Sequence, residues 1–279
     1  TDDMARWLSL ELGKPLDQSK GEVGMAIEQF EWYAEEAKRI YGHVLESRQP
    51  HGKVLIQHEP LGVVAAFTSW NFPVVLAARK IAPALAAGCS VILLPAEEAP
   101  GSAMSLVQCL HEAGVPAGVI NLINGSADTI SPVLLNESRV RKISLTGSAR
   151  VGKLLIKASA ETLKRTSMEL GGHAPVIIYA DADAEAIAEQ AALVKFKHCG
   201  QVCASPSRYF IHESQAEAFT NKFIEIAQNF KLGNGMESGI DIGPLATKKR
   251  LKEVELMVSG TLKSGARLRL GGKRPERFD

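Results

Sequence analysis

Two short stretches carry the side chains best suited to chemistry. Met168-Glu169-Leu170-Gly171-Gly172 supplies a carboxylate beside two glycines, and Gly200-Gln201-Val202-Cys203 supplies a thiol behind a glycine. A sulfur nucleophile and a carboxylate base suit covalent acyl chemistry. The thiolate attacks a carbonyl carbon, and the base later activates the water that releases the acyl group. An unperturbed thiol titrates near ~8.5, so a reactive Cys203 needs a positive or dipolar neighbourhood, and Lys197 and His198 are the nearest candidates along the chain. Each residue also has a plainer reading. Taken alone, Cys203 is a small core residue and Glu169 a strand-end carboxylate that caps a turn or pairs with a lysine. Cys199, four residues before Cys203, reads as a packed thiol, because helical neighbours rarely meet disulfide geometry.

These residues need a framework to position them. From Leu61 onward, short apolar runs alternate with amphipathic ones, which is the sequence form of an open, doubly wound parallel sheet covered on both faces. Strands are predicted over residues 62–68, 90–94, 119–123 and 142–145. Helices are predicted over 74–87, 101–113 and 128–136, with another starting near Ser148. Ligands of such sheets bind outside the carboxyl ends of the strands, so residues 68–71, 95–97, 124–126 and 146–148 should line one crevice. After Gly172 a second α/β unit is expected, with strands over 174–179, 208–212 and 266–270 and helices over 184–198, 215–230 and 248–263. The expected domains are 1–170 and 171–279. Residues 1–42 predict two helices. Residues 44–59 predict a protruding hairpin turning at Pro50-His51-Gly52, either a subunit-joining arm or a plain surface hairpin.

Composition narrows the partners. The chain has 279 residues, is 46% hydrophobic and carries a formal charge of +1, so it can bury a large core and shows no electrostatic footprint for nucleic acid or an anionic membrane. Four cysteines without paired CxxC spacing fit a reducing compartment and give no metal site. The most apolar stretch, 74–94, is broken by Arg79, Lys80 and Pro83. A cytoplasmic protein is the expectation. The start at Thr1 and the end soon after Gly271-Gly272 read as those of a fragment.

Three more motifs sit at the predicted strand ends. In Ser69-Trp70-Asn71-Phe72-Pro73, Asn71 reads as a helix cap with Pro73 in the first turn, or as an amide donor facing the crevice. In Leu94-Pro95-Ala96-Glu97, the carboxylate can accept hydrogen bonds from a ribose and repel a 2′-phosphate, which favours NAD over NADP. Thr146-Gly147-Ser148 opens a helix whose N-terminal N–H groups can take a phosphate. Gly147 to Lys153 also fits the GxxxxGK part of a P-loop, though Leu154 stands where such a loop needs Ser or Thr, so an NTPase is a remote alternative.

Together these motifs resemble the aldehyde dehydrogenase superfamily, closest in pattern to its NAD-dependent succinate-semialdehyde dehydrogenases. The likeness runs from Glu11-Leu12-Gly13-Lys14-Pro15 to Gly271-Gly272-Lys273. The resemblance implies an enzyme that oxidises an aldehyde to an acid through a thioester on Cys203. Asn71 and the Cys203 N–H form the oxyanion hole, Glu169 is the water-activating base, and the oxidised nicotinamide also favours the thiolate. It implies NAD contacts at Thr68, Trp70, Pro95, Glu97, Gly125, Gly147, Ser148, Val151 and Leu170. The family usually has Lys where Leu94 stands. Arg79 and Lys197 fall where the succinate-semialdehyde enzymes hold the substrate carboxylate with arginines. The resemblance further implies no catalytic metal, a homodimer or homotetramer, and family segments before Thr1 and after Asp279. A non-catalytic truncated homologue or structural subunit is the alternative.

Overall fold

A computed structural model describes residues 1–275, which divide into two compact units. The first comprises Thr1–Leu8 and Ser19–Gly171, and the second comprises Ser9–Gln18 and the chain from Gly172 onward. The chain opens with helices α1 (Asp2–Leu12) and α2 (Leu16–Glu36), followed by an antiparallel hairpin of β1 (His43–Glu46) and β2 (Lys53–Ile56). Every residue of both hairpin strands is exposed.

In the first unit, the expected alternation appears as β3 (Val63–Phe67), α3 (Pro73–Ala86), β4 (Ser90–Leu94), α4 (Pro100–Glu112), β5 (Ile120–Leu122), α5 (Ala127–Asn136), β6 (Val140–Gly147), α6 (Ala149–Ala160) and β7 (Arg165–Leu170). The strands pair in parallel in the order β5-β4-β3-β6-β7. The chain therefore winds outward from β3 through β4 to β5, then returns to lay β6 against the other side of β3. Right-handed crossovers send the helices of the two windings to opposite faces. Accordingly α3 packs on β3 and β4, and α5 and α6 pack on β6. Coverage of both faces explains why β3 reads Val-Val-Ala-Ala-Phe with no polar alternation, and why Ala65 and Ala66 are both fully buried. One face closes over Ala65, Phe67, Leu94, Ile143, Leu145 and Leu155.

The second unit is built on β8 (Val176–Ile178) parallel to β9 (Tyr209–Ile211), with α7 (Ala184–Phe196), α8 (Glu213–Asn229) and α9 (Lys248–Lys263). Its core joins Ile178, Ala188 and Ala191 to Phe219, and small alanines on α7 let α8 approach closely. An aromatic chain runs from Tyr209 to Phe219 (centroids 5.4 Å), Phe223 (5.7 Å from Phe219), Phe196 (5.8 Å from Phe223) and Phe230 (5.4 Å from Phe196). It fastens the last residue of α7 to the far end of α8. The strand expected over 266–270 does not form. Leu268 and Leu270 alternate with arginines as a strand would, but both leucines are exposed and no backbone ladder receives the run among the described residues. A strand without a partner has nowhere to place its N–H and C=O groups.

Residues 9–18 are clamped into this unit by backbone approach. Leu16 N–H donates to Gly235 O at 2.9 Å, and a Cβ on Gly235 or Gly243 would strike the Gly13 carbonyl oxygen. Gly243→Ala should therefore force the two segments apart and cost about 1–3 kcal/mol, read as a lower midpoint of denaturant unfolding. An unchanged midpoint would show that the clamp gives way without cost.

Candidate functional site

Parallel pairing puts every strand end of the first unit on one edge. Phe67 pairs with both Leu94 and Leu145, and Thr146 and Gly147 pair with Glu169 and Leu170. The residues that follow are thus neighbours by register: Thr68–Asn71 after β3, Pro95–Glu97 after β4, Gly125 after β5, and Ser148 after β6. The winding reverses between β3 and β6, the position where open α/β sheets take ligands.

The fit of this edge to a dinucleotide rests on three observations. Thr68 Oγ1 is buried with no hydrogen-bond partner among the described residues, so it has capacity for a ligand. Gly125 adopts φ +147°, which side chains rarely allow, and keeps the turn after β5 bare. Ser148 is the N-cap of α6, accepting from Val151 N–H at 3.3 Å, which leaves the exposed helix start to face an anion. Val151 is half-buried on the first turn of that helix, whose Gly152 lies so close to β7 that an added Cβ would come within 2.9 Å of Leu170 Cδ2. This same helix removes the P-loop alternative, since the GxxxxGK-like run is already helical from Ala149. Pro95 is buried and Glu97 exposed, while Leu94 is part of the core and offers the edge no cation.

Asn71 does not cap α3, contrary to the plainer sequence reading. Phe72 occupies the cap position without a side-chain bond, and the capping oxygen comes from α2. Fully buried Glu22 accepts from Val74 N–H at 2.9 Å and Val75 N–H at 3.3 Å through one carboxylate oxygen. Asn71 Oδ1 instead accepts from Ser69 Oγ at 2.6 Å, and Trp70 between them is half-buried. On α3, Arg79 is the one exposed side chain. Its neighbour Lys80 donates to Ser144 Oγ at 3.0 Å and is pulled down to about 8 by burial, an effect partly offset by the charge of Glu169. Glu169 itself is exposed at the end of β7.

Cys203 belongs to the second unit. The helix predicted through His198 ends at Phe196, and the chain passes through a tight turn over Lys197–Gly200 in which His198 (φ 47°) and Cys199 (φ 56°) are left-handed. Two consecutive non-glycine residues there cost on the order of 1–2 kcal/mol each, so surrounding bonds must hold them. Several do. His198 N–H donates to Gln18 Oε1 at 2.9 Å, Gln201 Nε2 donates to His198 O at 3.2 Å, and Gln201 Oε1 accepts from Ala246 N–H at 3.2 Å. Val202 O accepts from Ser205 N–H at 3.1 Å, closing a turn that leaves Cys203 exposed near its tip. Cys199 is half-buried and donates to Gly243 O at 2.9 Å, and burial pushes its thiol up to about 11, which makes it the inert cysteine of the pair.

The electrostatic expectation for this loop needs correction. His198 is not a cation. Burial, with the nearby charge of Lys14, pulls its imidazole down to about 2. Lys197 is exposed in the turn, and the cation tied into the loop is Lys195, whose Nζ donates to Ser205 Oγ at 3.4 Å. Sequence reasoning missed Lys195, Gln18, Ser69 and Glu22, because their roles depend on partners far away in sequence or on ordinary polar residue types. Among the described residues no helix is long and apolar enough to cross a membrane.

The comparisons with known proteins agree with one another. A family model described as the aldehyde dehydrogenase family matches residues 1–279. The 3-sulfolactaldehyde dehydrogenase of Pseudomonas putida is 45% identical over 273 residues, which cover 98% of this chain and 56% of that protein. The NADP(+) succinate-semialdehyde dehydrogenase of Escherichia coli K12 is 41% identical over 276 residues, covering 99% and 57%. The crystal structure of succinate-semialdehyde dehydrogenase from Burkholderia pseudomallei matches with a TM-score of 0.97 at 42% identity, covering 99% of this chain and 57% of that one. The chain thus spans little more than half the length of these relatives.

The buried neutral His198 has a consequence for stability. An unfolded histidine takes up a proton near ~6.5, whereas folded His198 does not until about 2, so between those values the unfolded state binds more protons. Stability is therefore lost as pH falls below ~6.5, at up to about 1.4 kcal/mol per pH unit from this residue. Denaturant midpoints measured from about pH 7 to pH 4 should fall less steeply in His198→Asn than in the unaltered protein. Parallel slopes would remove His198 from the acid limb.

Proposed function

The chain belongs to the aldehyde dehydrogenase family, and from that premise we propose that its protein oxidises an aldehyde to the acid through a thioester on Cys203. The observation that carries the proposal is the exposed Cys203 at the tip of a rigidly bonded turn, in a chain whose sheet edge carries Asn71 and Glu169. In this reading the Cys203 thiolate attacks the carbonyl carbon. Asn71 Nδ2 and the Cys203 N–H donate to the oxygen as it becomes an oxyanion, each worth about 3 kcal/mol in comparable chemistry. A nicotinamide dinucleotide, when bound, supplies the acceptor for the hydride lost from the substrate. Glu169 then takes a proton from the water that hydrolyses the thioester and frees Cys203.

Thr68, Trp70, Pro95, Gly125, Gly147, Ser148, Val151 and Leu170 are proposed to hold that dinucleotide, with the pyrophosphate at the start of α6. NAD is the proposed cofactor because the exposed Glu97 carboxylate repels a 2′-phosphate, although relatives in E. coli and Sinorhizobium fredii are named as NADP(+) enzymes. The proposed substrate is a short aldehyde with a distal anion, succinate semialdehyde first, held by Arg79 and Lys197. Names of the relatives support this class, since sulfolactaldehyde, glutarate semialdehyde and succinate semialdehyde each carry an acid group. Lys197 keeps a charge but lacks the planar two-pronged grip of arginine. A homodimer or homotetramer in the cytoplasm completes the proposal, with exposed Val44, Leu45, Val54 and Leu55 on the β1–β2 hairpin as the apolar surface for assembly.

Rapid-mixing measurements separate the roles. Cys203→Ala should give no NADH at all, while Glu169→Gln should give a stoichiometric burst and then stall, slowed about 100-fold or more in turnover. Turnover of Glu169→Gln at the unaltered rate would strike out the base. For the substrate, Arg79→Ala should lower kcat/KM for succinate semialdehyde relative to butanal by about tenfold or more, the worth of one charge-assisted hydrogen bond. A constant ratio would dismiss the anion clamp.

A further inference from the structure

The chain contains two Asn-Gly steps, Asn124-Gly125 and Asn234-Gly235. Asparagine is a thermolabile residue, and glycine after it leaves the following backbone nitrogen uncrowded, with no Cβ to hinder attack on the side-chain amide. The two steps differ in how tightly they are held. Asn234 Oδ1 accepts from Met236 N–H at 3.0 Å, and its main-chain carbonyl accepts from Glu237 N–H at 2.9 Å. Gly235 is buried, its carbonyl accepts from Leu16 N–H at 2.9 Å, and a Cβ there would strike the carbonyl oxygens of Gly13 and Lys14. Asn124 has no such restraint. Backbone bonding stops at Ile123 N–H, which donates to Leu93 O at 3.0 Å, and resumes at Ser126 O, which accepts from Thr129 and Ile130 N–H at 3.1 and 3.0 Å. Between these points Asn124 and Gly125 are both exposed, and among the described residues no hydrogen bond holds either one.

We propose that Asn124 is a site of spontaneous deamidation that puts a carboxylate on the dinucleotide edge as the protein ages. The Gly125 nitrogen attacks Asn124 Cγ, a new N–Cγ bond closes a cyclic imide, and the Cγ–Nδ2 bond breaks. The proton lost from the Gly125 nitrogen ends on Nδ2, which departs as ammonia. Solvent water then opens the imide at either carbonyl, leaving aspartate or isoaspartate, with no oxidation or reduction. Each product adds one negative charge next to Gly125, on the edge where the phosphates of the dinucleotide are proposed to lie. Like charges repel, so the converted protein binds the cofactor less well. This consequence rests on the reading of the edge given above, whereas the conversion itself does not.

The test incubates the native polypeptide in warm, mildly alkaline buffer, and follows two peptides by mass and by isoaspartyl methyl transfer. Conversion at Asn124 should outpace conversion at Asn234 by about tenfold or more, because the second step must first open locally. Equal rates, or conversion at Asn234 first, would overturn the proposal. The NAD dissociation constant is measured alongside. Asn124→Asp should raise it by about two- to fivefold, less in high salt, and the unaltered protein should drift toward that value as it ages. Asn124→Gln closes its larger ring far more slowly, so its own dissociation constant should hold steady over the same incubation; an equal drift there would overturn Asn124 as the cause. Ser148→Asp, which keeps an N-cap acceptor but sets a charge at the start of α6, should weaken NAD by about fivefold or more. If Ser148→Asp binds NAD as before, the reading of the edge fails and the weakening fails with it. If Ser148→Asp is weak but Asn124→Asp is not, only the effect of deamidation on the cofactor is overturned.

Discussion

Parallel pairing is the constraint on which the first unit depends. Five strands that run the same way must end on the same edge, and each but the last, β7, must be followed by a helix that carries the chain back. Residues more than 100 positions apart in sequence, Thr68 and Glu169 among them, therefore meet one edge without any direct bond between them. The winding reverses between β3 and β6, the place on that edge where open α/β sheets take ligands. The positions that matter there are turn residues, and the sheet beneath them is an apolar slab of Val, Ile, Leu and Ala that carries no chemistry of its own.

Helix starts supply the finer positioning. Glu22 is a carboxylate with no exposure that caps a helix from a different helix, so α2 and α3 are joined through two backbone N–H groups and a helix dipole. With the cap supplied from a distance, Asn71 and Ser69 bond each other within the three residues before Phe72. At α6 the cap is local, from Ser148, so the starts of α3 and α6 are held by different means. In the second unit, the loop that bears Cys203 is rigid because Gln18, Gln201 and Ser205 bond across it and because the Phe196 ring is packed among Phe223 and Phe230.

Much of this was legible in the sequence. The period change at Leu61, the apolar runs of β3 and β4, and Ser148 before an amphipathic helix placed the strands and helices of the first unit within a few residues, because buried parallel strands and capped helices leave strong local patterns. Where the sequence misled, the deciding partner was remote. Nothing around residues 266–270 announces that no neighbouring strand receives them. His198 looks like a cation until burial beside Lys14 is known. Asn71 looks like a cap until Glu22, 49 positions earlier, is seen to do that work. Leu94 stands where the family usually has Lys, and the structure shows this leucine absorbed into the core, since helices cover both faces of the sheet and Leu93 and Leu94 are both buried.

The central claim is that Cys203 carries the acyl group. Acid-quenched protein, sampled after mixing Glu169→Gln with succinate semialdehyde and NAD and then digested, should show the succinyl mass on the peptide that contains Cys203, with Cys199 on the same stretch unmodified and the adduct removed by hydroxylamine. An adduct on Cys199, or none on either cysteine while NADH is formed, would contradict the account.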